Sequence, residues 1–458
     1  MENINPLTPF SKKMKVGRHI ARVLLVVLAA VVIIGVIFAM VQSRFNGVYF
    51  MRGYGMSLRA RFGFVTVYQT TDSYYCNDSA YSGIIIGNTF YSGMGRFDVE
   101  TDGEILRLTD KGAQYTYDLQ RESNSFFKNK SEVDETHPEE AFDMYYEMLR
   151  ENYAFFDLYG VNPESRYDLI RSRLSNQEIS LVEAMKDLVD EVYDGHILIA
   201  HGDQDYSPAG ESPEWITDKE QLGVLSDLIT TVYVKDYIKF KDVYIRYGFL
   251  TEDTGYIAMH AMGTESFDKS KTTKIAMDAI MSDYAKKGIS AVVIDLRFNG
   301  GGYDEASLCV AGYFAQERYL AYQKQAYYKD DYTALQSMYV EPADYVFDQD
   351  VYVLTSPYTI SAAETFLRAM LANPSHRVTV VGETTAGNYS DAFERVLPFH
   401  DSDIRYTFSN ERYFDAQGNA LEGCGAIPDV LIPVSVESAR KGHDDALDYV
   451  MAEIEARN

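Results

Sequence analysis

Residues Val23 to Val41 read VLLVVLAAVVIIGVIFAMV and carry no charge. Nothing else constrains the chain as strongly, because about 20 apolar residues at a 1.5 Å rise each span a bilayer core. Lys12, Lys13, Lys15, Arg18 and Arg22 precede the run, and only Arg44 and Arg52 follow it closely. The positive-inside rule then keeps the first residues in the cytoplasm and sends the rest out. A cleaved signal peptide would carry a shorter apolar region of about 7–15 residues, closed by a small-residue cleavage site. This run is longer, and no such site follows it. The expectation is a cytoplasmic tail over 1–20, one transmembrane anchor over 21–42, and no second span.

The rest of the chain is long enough for two or three folded units at roughly 100–200 residues each. A hydrophobic share of 46% is that of a globular protein. Lys plus Arg number 42 against 68 for Asp plus Glu, a formal charge of −26. Such a surface repels phosphate backbones and anionic headgroups, which argues against nucleic acid as a partner. The three cysteines, Cys76, Cys309 and Cys424, form no CxxC pair. Zinc-ribbon and thioredoxin readings therefore fail, and no disulfide is expected.

Residues 43–130 read as a β-rich module, a small antiparallel barrel or sandwich, with short alternating runs broken by Gly and Asp-Gly. A polar linker is expected over 123–133. Helical spacing follows in EEAFDMYYEMLRENYAFF, SRYDLIRSRLS and SLVEAMKDLVDEVY, which predicts a helical subdomain over 131–204. Ser180 and Glu183 make a capping box before the last of these helices. From about 250, strand and helix patterns alternate, implying right-handed βαβ units on a parallel sheet.

Three constellations can carry chemistry. In VYVLTSPYTISAAETFLRAMLA a strand ends, turns, and Ser361 opens a helix. The unpaired N–H groups and dipole there favour developing negative charge, and the Ala362 N–H can donate to an oxyanion. The bland alternative is that Ser361 or Thr359 only caps the helix. DLRFNGGG, Asp295 to Gly302, follows the buried strand AVVID, so its glycines lie at a strand C-terminus, where open α/β sheets bind ligands. It is no P-loop, since no Gly-Lys-Ser/Thr follows. YDGHILI sets His196 beside Gly195 at a helix end, whereas His201 and His260 are less pointed candidates. The eight histidines form no zinc-site spacing, so no metal and no cofactor is expected.

Taken in order, DLRFNGGG, SAAE (Ser361 to Glu364), VGETT (Val381 to Thr385) and EGCGAIPD (Glu422 to Asp429) resemble peptidase family S41, the C-terminal processing peptidases and their relatives. The resemblance covers about 135–440. It implies an α/β fold with a ClpP/crotonase-like βαβ catalytic core over 205–458, behind the helical subdomain that carries the His. One family branch uses a Ser–Lys dyad, with lysine just after V-G-E-x-T, and Asn388 stands there in this chain. The other branch resembles the tricorn core protease and interphotoreceptor retinoid-binding protein, and its proteases use serine, histidine and glutamate. On that resemblance Ser361 is the nucleophile, His196 the base and Glu422 the group that orients it, directly or through water. Ala362 and Gly301 or Gly302 would form the oxyanion hole. Gly195 stands where the tricorn protease has a helper serine. Glu364 and Asp295 would be structural, and Arg297 would anchor a loop. Between His201 and Gly255 there is too little chain for the PDZ-like domain of many relatives.

The implied function is a membrane-anchored, extracytoplasmic serine endopeptidase acting on peptides or proteins. The alternative is a peptide- or small-ligand-binding protein on the same fold without turnover, and a third reading is a structural surface protein. A lysine elsewhere, such as Lys186, is the other conceivable base. The sequence fixes no oligomeric state.

Overall fold

The computed structural model describes residues 9–264, 269–375, 378–399 and 403–457. The apolar run lies in helix α1 (Pro9–Gln42). The Val23–Phe45 stretch, most of it in α1, is long and apolar enough to cross a membrane by length and composition; its most apolar 18-residue window has mean hydropathy 3.3 and no buried residue, whereas Gln42 and Phe45 at its end pack into the protein.

Eight antiparallel strands follow: β1 (Gly47–Met51), β2 (Met56–Arg61), β3 (Phe64–Thr70), β4 (Tyr74–Ile86), β5 (Thr89–Ser92), β6 (Gly95–Thr101), β7 (Ile105–Asp110) and β8 (Tyr115–Glu122). Each pairs with its sequence neighbours, and β8 returns to β1, with Val48 opposite Glu122 and Met51 opposite Leu119. The module is thus a barrel rather than a sandwich, and closure removes the edges that would template aggregation. Alternation along each strand sends one set of side chains inward, and Tyr49, Met56, Leu58, Val67, Phe90, Val99 and Leu119 are fully buried. The stretch expected as a polar linker is instead fastened to the barrel wall. Phe127 packs on Tyr68 and Tyr75 at ring distances of 4.8 and 4.9 Å, and Ser131–Glu132 adds a short parallel strand to β4. Two adjacent phenylalanines hold a segment whose composition otherwise reads as loose.

Helices α2 (Pro138–Asn152), α3 (Glu164–Ser175) and α4 (Leu181–Val189) form the next layer. Pro138 sits in the first turn of α2, where its missing N–H costs nothing. The expected capping box of α4 forms: Ser180 accepts from the Glu183 N–H, and the Glu183 carboxylate accepts from the Ser180 N–H. These helices bury Phe142, Met148, Met185 and Leu188 against the strands Leu198–His201 and Ile404–Thr407.

The third unit is a seven-stranded sheet in the order β9 (Lys235–Lys239), β10 (Val243–Phe249), β11 (Thr254–Thr264), β12 (Ala291–Asp295), β13 (Asp350–Thr355), β14 (Val378–Gly382), β15 (Val430–Leu431). Strands β11 to β15 run parallel, and β9 and β10 are antiparallel additions. Helices cover both faces, so the central strands are apolar on both sides. Val292 and Ile294 face α6 (Lys269–Lys287), α7 (Asp304–Ala311) and α8 (Ala362–Ala372), whereas Val293 faces α5 (Lys219–Leu228) and α9 (Asp445–Arg457). Phe366, Leu367 and Met370 of α8 are fully buried. Truncating any one to Ala would cost about 2–5 kcal/mol. The inner face of the barrel and the α6–α8 face of the sheet share one continuous apolar core. The barrel is therefore packed onto the βα unit rather than tethered to it.

Candidate active site

Strand β13 ends at Thr355, and a tight turn delivers Ser361 to the N-terminus of α8. The turn is held by hydroxyls. Ser356 donates to the Arg297 carbonyl at 2.7 Å, and Thr359 donates to the Leu296 carbonyl at 2.9 Å. Ser361 itself has φ 59° and ψ −125°, a region that side-chain-bearing residues rarely occupy. Such strain persists only where surrounding structure imposes it. Its N–H donates to the Asn388 carbonyl, and its own carbonyl accepts from Glu364 and Thr365. Although Ser361 stands at the N-cap position, its hydroxyl makes no capping bond. The simple cap reading therefore loses its physical content: the helix does not use this oxygen.

The glycine loop presses directly on Ser361. A Cβ on Gly301, where φ is +102°, would fall 2.6 Å from the Ser361 Cβ and 3.2 Å from its Oγ. Only glycine permits that approach. The loop is pinned to β11, since the Met262 N–H donates to the Gly301 carbonyl at 2.8 Å and the Met262 carbonyl accepts from Tyr303. The Gly301 N–H donates to Asn299 Oδ1 at 2.9 Å. Of the two glycines expected to bind an oxyanion, Gly301 thus has its N–H taken. The N–H groups of Ala362 and Gly302 find no acceptor among the described residues.

His196 lies in a turn beyond the end of α4. Its own N–H donates to Asp194 Oδ1 at 2.8 Å, and its carbonyl accepts from the Thr407 hydroxyl at 2.6 Å. Its Nδ1 is 3.9 Å from the same Asp194 oxygen and has no hydrogen-bond partner among the described residues. Burial lowers the imidazole pKa below its ordinary value, against a partial rise from the Asp194 and Asp391 charges.

Asn388 joins the two halves of the site. Its side-chain Oδ1 accepts from the Gly195 N–H at 3.1 Å, and its backbone carbonyl accepts from the Ser361 N–H at 2.9 Å. The residue standing where the other branch carries lysine therefore bonds the histidine turn on one side and the serine turn on the other. Glu364 fixes Asn388 in turn. Fully buried, it accepts from the N–H groups of Gly387 and Asn388 at 2.8 and 2.9 Å and from the Thr385 hydroxyl. A side chain at position 195 would meet the Asn388 amide nitrogen at 2.9 Å, so a serine there would displace the amide that accepts from the Gly195 N–H.

Glu422 reaches the histidine from the other direction. Ligand atoms of Asp194, His196 and Glu422 all lie within 4.8 Å of one another. Glu422 Oε2 accepts from the N–H groups of Tyr389 and Ser390, while Oε1 has no hydrogen-bond partner among the described residues. Burial and then the Asp194 charge push the Glu422 carboxyl well above its ordinary range. Asp194, fully buried, also accepts from the Tyr153 hydroxyl at 2.9 Å. Two carboxylates this close do not readily ionise together, and the upward shift falls on Glu422. Asp194 is the residue that sequence reasoning passed over. Its signal was the D-G-H turn, in which an Asp carboxylate caps a backbone N–H two residues on.

The remaining candidates sort cleanly. Arg297 is 3% exposed and bonds Asp295 and Asp444, so it anchors the loop and is closed to ligands. Lys186 lies over the Tyr206 ring, 5.3 Å from its centroid. A buried lysine outside the motifs, Lys324, sits 3.0 Å from both Asp391 and Glu411. Those carboxylates hold it well above its ordinary pKa, in the protonated form, which is useless as a base.

Residues 253–432 match the sequence model of peptidase family S41. Over this region, about two fifths of the chain, the sequence is similar to that family. It is 24% identical over 254 residues to a carboxy-terminal-processing protease of Bartonella bacilliformis, covering 55% of this chain and 54% of that one. The chain thus aligns with about half the length of that relative. The crystal structure of a candidate peptidase from Parabacteroides merdae superposes with a TM-score of 0.54 at 23% identity, over 70% of this chain and 98% of that chain. Mature CPAF complexed with lactacystin gives a TM-score of 0.51 at 10% identity, over 69% and 97% of the two chains. These likenesses establish the mixed α/β fold.

Proposed function

We propose that this chain is a membrane-anchored serine endopeptidase working outside the cytoplasm, with Ser361 as nucleophile and His196 as general base. The observation that carries the reading is a strained serine, its hydroxyl unused by its own helix, bonded through one asparagine to the turn that bears a half-buried histidine. His196 takes the Ser361 proton as Oγ attacks the peptide carbonyl, and then gives it to the departing amine. Water attacks the acyl-enzyme by the same route in reverse. Asp194 supplies the charge that stabilises the imidazolium, and Glu422 adds a protonated carboxyl to the same cluster. Ala362 N–H and Gly302 N–H hold the oxyanion, and losing one such donor typically costs about 3–4 kcal/mol. The anchor is α1, with the basic residues before it on the cytoplasmic side.

A fluorophosphonate probe tests this on the full chain. Labelling is expected on Ser361, abolished in Ser361→Ala and strongly slowed in His196→Ala. Labelling that survives Ser361→Ala rejects the nucleophile, and no labelling of the parent favours the binding-protein reading.

A further inference from the structure

On the sheet face opposite α8, at the C-terminal end of β11, lies a cavity of about 240 Å³ that the catalytic chemistry does not use. Its walls are apolar, with Leu222 and Ile229 from α5 and its extension and Phe298 from the glycine loop. Its polar groups include Tyr237, Arg246 and His260, with the hydroxyls of Ser226, Thr230 and Tyr256 also in the lining. Arg246 stands directly across from Lys239 in the β9–β10 register, so two cations share this face. Like charges opposite one another in a sheet destabilise it. Neither has a carboxylate within ion-pair distance among the described residues, in a chain of formal charge −26. Asp295, behind Tyr256, is committed to Arg297 and to the Tyr256 hydroxyl. Arg246 meets the Tyr237 hydroxyl, and the His260 Nε2 is shut off from solvent with no hydrogen-bond partner among the described residues. Burial, Arg246 and Lys239 together push this imidazole down to about 4, and the Asp295 charge offsets them only in part.

A half-buried guanidinium without a counter-ion, an orphaned ring nitrogen and an apolar wall together define a ligand with one anionic end and one apolar end. We propose that this cavity binds a small apolar carboxylate, its anion on Arg246 and its hydrocarbon against Leu222, Ile229 and Phe298. Arginine presents two parallel N–H groups to such an anion. The volume lies below the range of about 300–1,000 Å³ usual for drug-sized ligands, so the occupant is short. Either the last residue of a peptide or a free short-chain acid carries this chemistry. The site is independent of the peptidase reading, although Phe298 adjoins the loop that faces Ser361.

The chain has one tryptophan, Trp215, whose ring lies 5.6 Å from that of Phe298. Its fluorescence therefore reports the cavity wall. The experiment titrates the full-length Ser361→Ala protein in nanodiscs with N-acetyl-leucine, with hexanoate, and with the neutral control N-acetyl-leucinamide. A saturable change is expected with a carboxylate and not with the amide. Arg246→Gln should weaken it about 10–100-fold, and Arg246→Lys should keep part of it. A response to N-acetyl-leucine alone points to a peptide terminus, and a response to hexanoate alone to a free acid. Equal response to acid and amide, no saturable response to either acid, or an Arg246→Gln protein that binds like the parent overturns the proposal. Because Ser361 is absent from the protein used, a failure of the peptidase reading leaves this result unaffected.

Discussion

Two carboxyl groups flank His196, and replacing each by its amide should give opposite results. In Asp194→Asn the shape is kept and the charge is lost. The carboxylate oxygen lies 3.9 Å from His196 Nδ1, with Asp194 fully buried and the His196 side chain 13% exposed. At an effective dielectric of about 20, that separation is worth about 4 kcal/mol to an imidazolium. If the full amount is lost in the transition state, the rate falls about 10³-fold. In Glu422→Gln little charge is lost, because burial and Asp194 already keep that carboxyl protonated. Its rate should change less than about tenfold, under about 1.4 kcal/mol. The assay is the second-order rate constant of fluorophosphonate labelling at Ser361, which needs no knowledge of the natural substrate. Thermal unfolding of each variant runs alongside it, since Asp194 also holds the His196 N–H and the Tyr153 hydroxyl. A folded Glu422→Gln protein that loses 10³-fold, beside an Asp194→Asn protein that loses almost nothing, would refute this assignment of charge.

The acid limb of the labelling rate should fall below pH 6.5, the ordinary value for histidine, because burial depresses His196 and the base works in its neutral form; a limb above pH 7 would contradict this. Asn388→Ala removes the bond from the Gly195 N–H and should lower the labelling rate by about 10²-fold through misplacement of the histidine turn. Its stability should fall by only about 1 kcal/mol, because the site is partly open to water, and parent-like labelling would make Asn388 mere scaffold. Arg297→Met strips the buried Asp295 and Asp444 of their partner and should cost about 3–5 kcal/mol in urea unfolding. A loss under about 1 kcal/mol would mean those carboxyls take up protons at no cost.

What the sequence determined is what short-range physics writes into it. The uncharged run from Val23 to Val41 prescribes a helix long enough for a bilayer, and α1 contains it. Strict alternation and helical spacing prescribed the β-module, the capped helix α4 and the βα order of the core, because the periods of strand and helix are local. The turn bearing Ser361 and the glycine loop after a buried strand were legible for the same reason. Which elements meet was not. The barrel closes through β8 on β1 across some 70 residues of chain, and Phe126 and Phe127 turn an expected linker into part of its wall. Asn388 reads from the sequence only as a missing lysine, yet in the fold it bonds Gly195, 193 residues away, and Ser361. The division of labour between Asp194 and Glu422 is equally tertiary. Desolvation and Coulomb energy depend on distances between atoms that only the folded chain brings within a few ångströms, and no local pattern encodes those distances.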